Sequence, residues 1–228
     1  MKNTEIIFVI DASGSMANLV NDTIGGFNGF ITSQKALDGK ATLTTVLFSS
    51  NWRILHDGVD IHEVKPMTTS EYAVGGMTAM LDAIGEVINR VQDRHDELGA
   101  EKPEEVLFVI TTDGEENCSR KFTKSQIEKM IKHQTNGHGW KFMFLGANMD
   151  AVKEAESIGI KKDCSVTYDY SDIGTKSIYD TMSCVTACVR GVDDISGTVT
   201  MDGTFDLTSA YGVVSAKNYA DNVEGKSK

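Results

Sequence analysis

The sequence predicts an α/β fold: a mostly parallel six-stranded sheet with helices on both faces. Three observations carry that expectation. Apolar runs of strand length alternate with stretches of helical periodicity, and such alternation makes parallel strands joined by right-handed crossovers. Two of the runs, Ile6 to Ile10 and Val106 to Ile110, are apolar without interruption, as strands covered on both faces require. Each run leads to an aspartate and small residues, in Asp11-Ala12-Ser13-Gly14-Ser15 and Thr112-Asp113-Gly114. In open α/β sheets, ligands bind at the carboxyl ends of strands.

The elements follow in order. Residues 3–10 form the first strand. Leu19, Val20, Ile24, Phe27, Phe30 and Ile31 recur at helical spacing, and Gly25-Gly26 among them marks a close approach of helix to sheet. Leu37-Asp38-Gly39 ends that helix, and residues 41–48 are rich in β-formers. Ser49-Ser50-Asn51 is a turn of hairpin length, so residues 52–56 read as an antiparallel edge strand. Residues 61–73 are irregular. An amphipathic helix then runs from Met80 to about Arg94, preceded by Gly75-Gly76-Met77-Thr78. Thr78 thus sits at a helix start, where backbone N–H groups are unpaired. A charged connection leads to the strand 105–112. Thr123 is an N-cap, with Gln126 at capping-box spacing for a helix to Gln134. Strand 140–146, helix 149–158, strand 164–168 and helix 173–189 complete the pattern. From Arg190 periodicity is lost, and residues after Tyr219 read as frayed. The division expected is a domain over 1–190 and a partly ordered or flexible extension over 191–228.

Bulk properties exclude several classes. A net charge of −11 argues against nucleic-acid or anionic-membrane surfaces, which need clustered Lys and Arg. No apolar stretch reaches membrane-spanning length. The amino terminus lacks a basic region followed by an apolar stretch, so no signal peptide is expected. Four cysteines in a chain of this size make no disulfide scaffold, and the expected compartment is a reducing cytoplasm. Cys184 and Cys188, at i, i+4, lack neighbours to complete a zinc site and read as small buried residues; Cys118 reads as an incidental thiol. Trp52 and Trp140 read as packing residues, and His133 and His138 as helix-end residues.

Asp11, Ser13 and Ser15 place one carboxylate and two hydroxyls in a single turn. That is an oxygen set suited to a hard cation such as Mg²⁺, which takes six ligands. The remaining ligands must come from elsewhere in the chain. The order of elements and the motifs together resemble the von Willebrand factor A (vWA) domain family, over roughly residues 5–189. The metal-ion-dependent adhesion site of that family consists of Asp-x-Ser-x-Ser, a Thr from a second loop and an Asp from a third. Asp11, Ser13 and Ser15 match the first part, Thr78 the second and Asp113 the third. Met77 departs from the pattern, because many members carry a smaller residue there. The resemblance implies a doubly wound sheet of order 3-2-1-4-5-6 with strand 3 antiparallel, so that Asp11 and Asp113 meet at the switch point. It also implies a Mg²⁺ or Mn²⁺ cofactor and metal-bridged binding of an Asp or Glu on a partner protein. A stand-alone intracellular adaptor of the bacterial or phage type is the setting it suggests.

Simpler readings stand beside this one. Asp11 or Ser13 could cap a helix. Residues 114–117 read as a solvated loop. The alternative function is a metal-dependent hydrolase or phosphotransferase on a doubly wound fold. Against it, position 13 is Ser where a dehalogenase-type phosphatase needs a second Asp, and no phosphate loop or nucleophile elbow is present. No His lies in the three loops to serve as a base, so the chain is not expected to be an enzyme. A metal that only staples the three loops together is a third reading. Oligomeric state is not legible in the sequence.

Overall fold

The computed structural model describes residues 1–192 and 206–225. Six strands form one sheet: β1 Thr4–Asp11, β2 Ala41–Phe48, β3 Trp52–Asp60, β4 Glu105–Thr112, β5 Lys141–Ala147 and β6 Ser165–Tyr168. Their spatial order is β3-β2-β1-β4-β5-β6, and every pairing is parallel except β2 with β3. The short turn after Phe48 leaves no room for a crossover, which makes β3 antiparallel. The chain leaves β1 for β2 on one side and returns to β4 on the other. β1 and β4 pair in register from Thr4 opposite Glu105 to Ile10 opposite Thr111. Their carboxyl ends therefore lie side by side where the winding reverses.

Among the described residues five helices flank the sheet, α1 Val20–Lys35, α2 Met80–Leu98, α3 Lys124–His138, α4 Ala151–Ser157 and α5 Asp172–Val189, and a sixth, α6 Leu207–Gly225, packs mainly on α5. Alternation along β1 divides the core in two. Ile6, Phe8 and Ile10 pack with Phe27 and Phe30 of α1 and with Ile178, Met182 and Val185 of α5. Ile7 and Val9 pack with Ile84, Val87 and Val91 of α2 and with Ile127 and Ile131 of α3. Strands apolar on both faces are thus explained by helices on both faces.

The amino end of the sheet is closed by charge pairs. Glu5, 1% exposed, faces His95 Nε2 at 2.6 Å, accepts from Thr44 Oγ1 at 2.9 Å and pairs with Arg94. Arg94 and Arg90 both also pair with Asp57 on β3. At the end of α5, the fully buried Arg190 donates to the carbonyls of Gln34 (2.6 Å), Asp38 (3.1 Å) and Gly39 (3.2 Å). Its cation thereby meets the carbonyl-rich end of α1, where a positive charge is favoured.

The structure departs from the sequence reading at several points. β3 continues past His56 to Asp60, because register shifts opposite Leu43 and Thr45 let it follow β2 further. The Gly26 approach is to another helix, not to the sheet: a Cβ there would lie 2.2 Å from Tyr179 Cδ2 of α5. Cys184 and Cys188 are half-buried, on the flank of α5 between its core face and solvent. No disulfide links the four cysteines. The extension carries α6, which continues beyond Tyr219; its apolar residues are mostly small and widely spread, so they form no stripe. Leu207 and Ala210 nonetheless reach the core beside α5. Ile195, Val199 and Phe205 lie outside the described residues. Trp140 is buried and Trp52 packs partly buried against the same core cluster. No helix among the described residues is long and apolar enough to cross a membrane.

Two of these contacts can be tested. Gly25, unlike Gly26, has nothing within 4 Å of where an added Cβ would lie. Gly25→Ala is therefore expected to stabilise the domain by about 0.5–1 kcal/mol through helix propensity, and Gly26→Ala to destabilise it by about 1–3 kcal/mol through overpacking. Urea unfolding of both variants checks the opposite signs. His56 stacks on Phe27, and burial holds its pKa below the ordinary value. The unfolded chain then takes up the proton first, so this contribution is intact above about pH 6.5 and is lost as pH falls toward the folded-state pKa. Wild-type stability should decline over that interval by more than that of His56→Leu, measured by urea unfolding at a series of pH values.

Candidate metal centre

The site grows from the last residue of β1. Asp11 is wholly buried, and its two carboxylate oxygens are both engaged. Oδ1 accepts the Ser13 N–H at 2.7 Å, which folds the next residues into a tight turn. Oδ2 accepts the Thr112 hydroxyl at 2.6 Å, which ties the end of β1 to the end of β4. The Asp11 carbonyl accepts the hydroxyl of buried Tyr72. This turn leads into a short 3₁₀ segment, Gly14–Leu19, before α1 begins.

From there the hydroxyls form a chain. Ser15 donates to Asp113 Oδ1 at 2.6 Å, and the Ser13 and Ser15 hydroxyl oxygens are 3.0 Å apart. Asp113 is half-buried and Ser15 is exposed at the mouth. Thr78 is 3% exposed. A Cβ built on Gly114 would lie 3.8 Å from Ser15 Oγ and 3.8 Å from Thr78 Oγ1, so these two hydroxyls flank one point beside Asp113. All five residues named from the motif, Asp11, Ser13, Ser15, Thr78 and Asp113, come together at the carboxyl end of the sheet.

The loop carrying Thr78 is fixed from several sides. Gly14 N donates to Gly76 O at 3.1 Å and Gly75 N to Ala12 O at 2.8 Å, joining the first two loops by backbone. Met77 N donates to Ser50 Oγ at 2.8 Å. Thr78 N donates to Asn117 Oδ1 at 2.9 Å, and Asn117 N returns to Thr78 O at 3.0 Å. Gly76 has φ +84°, and a Cβ there would meet Ser50 Oγ at 2.6 Å, so only glycine fits.

Residues 114–117 are a loop with Glu115 and Asn117 exposed, as expected, but Glu116 and Asn117 also tie it to the start of α2. Glu116 accepts from Leu81 N (2.9 Å), Cys118 N (2.9 Å), Ser119 N (2.7 Å) and Ser119 Oγ (2.8 Å). Asp82 in turn accepts from the N–H groups of Arg120 (2.8 Å), Lys121 (2.9 Å) and Phe122 (2.9 Å). A signal for this is present in the sequence. α2 opens at Ala79-Met80-Leu81 with no capping side chain, so its free N–H groups need an acceptor from elsewhere. Glu116 is that acceptor. Thr112, Tyr72 and Tyr170, whose hydroxyl donates to Ser15 O at 2.6 Å, carry no comparable signal.

The electrostatics favour a cation. Burial raises the pKa of Asp11 against the hydrogen bonds from Thr112 and Ser13, and the charge of Asp113 raises it further. Burial likewise raises Asp113, against the Ser15 hydroxyl. Two carboxyls are thus drawn out of water without an opposite charge, since no ion pair among the described residues involves either one. The donors are two carboxylates and three hydroxyls, an all-oxygen set that fits a hard divalent cation. No three His, Cys, Asp or Glu side chains gather as a metal-holding group among the described residues, so a cation held here would need the hydroxyls as ligands. Cys118 is half-buried nearby; burial foremost, then the Glu116 charge, pushes its thiol pKa up and keeps it protonated.

No family model matches the sequence, and no curated protein matches it. Solved structures share the fold. The zinc-occupied MIDAS form of proximal thread matrix protein 1 from the mussel byssus superposes with a TM-score of 0.55 at 17% identity, over 80% of this chain and 45% of that one. VWA2, the ArnB paralog of Sulfolobus acidocaldarius, gives 0.53 at 16%, over 80% and 45%. The vWF domain of the pilus tip protein Mfa5 from Porphyromonas gingivalis gives 0.60 at 9%, over 85% and 98%. The chain therefore has the fold of vWA domains, and it spans less than half the length of the byssus and archaeal proteins.

The Glu116 contacts can be tested directly. Glu116→Ala leaves the Leu81, Cys118 and Ser119 N–H groups without their acceptor, and a loss of about 1–3 kcal/mol is expected. Thermal denaturation against wild type measures it.

Proposed function

We propose that this chain is a divalent-metal-dependent protein-binding module that grips an Asp or Glu side chain of a partner protein. The observation that carries the proposal is the convergence of Asp11, Ser13, Ser15, Thr78 and Asp113 at an exposed mouth, with one buried and one half-buried carboxyl that lack a counter-charge. Ser13, Ser15 and Thr78 would hold the cation directly, with Asp11 and Asp113 balancing its charge. Mg²⁺ is the expected ion, and Mn²⁺ suits the same oxygens. When bound, the cation supplies an electrophilic coordination position for a carboxylate oxygen of the partner. The vWA fold and a structural relative described with a metal-occupied adhesion motif support this reading.

The chain's own residues do three things in this scheme. Asp11 holds the first loop closed through the Ser13 N–H. Asn117 sets the height of Thr78. Ser15 stands at the mouth, where a ligand arrives, and its hydroxyl is free to turn from Asp113 toward an incoming cation. We read the module as binding and not catalytic. The histidines sit elsewhere: His95 at the amino end with Glu5, His56 on β3, His62 in the short turn directly after β3, and His133 and His138 together at the end of α3. The alternative of a hydrolase therefore has no histidine base at the site to support it. A cytoplasmic adaptor, with its cysteines reduced, completes the proposal.

Calorimetric titration of metal-stripped protein tests it. Mn²⁺ and Mg²⁺ should bind wild type at one site, and Thr78→Ala and Asp113→Ala should bind at least tenfold more weakly. At a hundred times Kd, the ion should add about 2.7 kcal/mol to wild-type stability. Wild-type titrations flat for both ions, with and without added acetate, would refute the metal centre.

A further inference from the structure

Met77 is the residue of the site that neither ligation nor folding accounts for. Among the described residues only Met1, Met77, Leu98 and Val213 are large hydrophobics with substantial exposure, and Met77 is 51% exposed. Leu98 ends α2, near the amino end of the sheet, and Met1 contacts Gly39 at that same end; Val213 is on α6. Met77 alone of these lies in a loop of the candidate site, directly before Thr78. Its exposure does not reflect a loose loop, since the backbone on either side is hydrogen-bonded to Ser50, Gly14, Ala12 and Asn117. An apolar side chain is thus held in water by rigid backbone at the rim of the site.

The rest of the rim has a different character. Glu115, Asp150 and Asp169 are exposed at the same end of the sheet, beyond β4, β5 and β6. Carboxylates there repel further acids on an incoming segment, whereas Met77 offers apolar surface beside Thr78. Met77 adjoins Thr78 in the chain, so a segment whose Asp reaches the Thr78 loop passes the exposed Met77 side chain.

We propose that Met77 is a specificity-determining residue, and that the partner segment carries an apolar side chain such as Leu, Met or Phe next to a single Asp or Glu. The carboxylate meets the metal loops, the apolar neighbour covers the Met77 thioether, and the acidic flank disfavours a run of acids. Met adapts its three rotatable bonds to varied apolar shapes, so the preference is for apolar character and not for one residue type. This inference rests on the metal-bridged reading above.

The probe is a displayed heptapeptide library with a fixed central Asp and random flanks. It is bound in Mn²⁺ and eluted with EDTA, in parallel on wild type, Met77→Ser and Thr78→Ala. On wild type, apolar residues beside the Asp should be enriched, and synthetic winners should bind roughly five- to tenfold more weakly to Met77→Ser, as expected for losing partial burial of one Met side chain. Apolar enrichment should vanish on Met77→Ser while EDTA-elutable binding persists. The same flanking profile on wild type and Met77→Ser would overturn the role of Met77 and leave the metal-bridged reading standing. EDTA-elutable yield as high on Thr78→Ala as on wild type, or none on wild type, would overturn that reading and this inference with it. Mn²⁺ titration of Met77→Ser completes the set: weaker metal binding than wild type would place the effect in the metal loop and refute a role in specificity.

Discussion

The buried carboxylate of Asp11 is the interaction on which the site depends. One oxygen closes the turn after β1 and the other clasps Thr112 at the end of β4. These two strands are far apart in sequence, and only their parallel pairing at the switch point makes the clasp possible. The other loops build on it. The Gly75-Gly76 turn is stitched to Ala12 and Gly14, and the loop after Asp113 is stitched to Thr78 and α2. A carboxylate in such surroundings is costly as an anion without partners. Its two hydrogen bonds offset that cost only in part, since its pKa remains raised.

The two ends of the sheet solve the problem of buried charge in opposite ways. At the amino end, Glu5 meets Arg94 and His95, and Glu105 meets Lys2 and Lys141. At the carboxyl end, Asp11 and Asp113 meet only hydroxyls and backbone N–H groups. Paired charge is structural and tolerates removal poorly, because the stranded partner stays buried. Unpaired carboxylates surrounded by hydroxyls instead concentrate negative potential where an ion from solvent can reach it. The contrast separates the charge-paired end of the sheet from the end that carries the candidate metal centre.

Much of this was legible in the sequence because two periodicities and one motif agree. Continuous apolar runs ending at Asp11 and Asp113 marked buried parallel strands and the site at once, and the Thr123–Gln126 capping box is present as expected. What was not legible depends on contacts between distant residues. The acceptor role of Glu116 requires knowing that α2 begins beside the loop after β4. The tight packing of Gly26 depends on Tyr179, a residue of another helix. α6 escaped notice because a helix that lies on another helix at the edge of a domain needs few core residues, and Leu207 and Ala210 alone make no period.

The buried guanidinium of Arg190 has a mechanical corollary. It binds the carbonyls closing α1, and its own carbonyl receives Lys2 N at 3.0 Å. The start of β1, the end of α1 and the end of α5 therefore share one knot, on the side of the sheet away from the metal loops. Displacement of Arg190 would be felt at the α1 terminus and at the head of β1 together, because both are held by its hydrogen bonds. Three chain segments far apart in sequence are thus fastened by one residue, at the end of the sheet opposite Asp11.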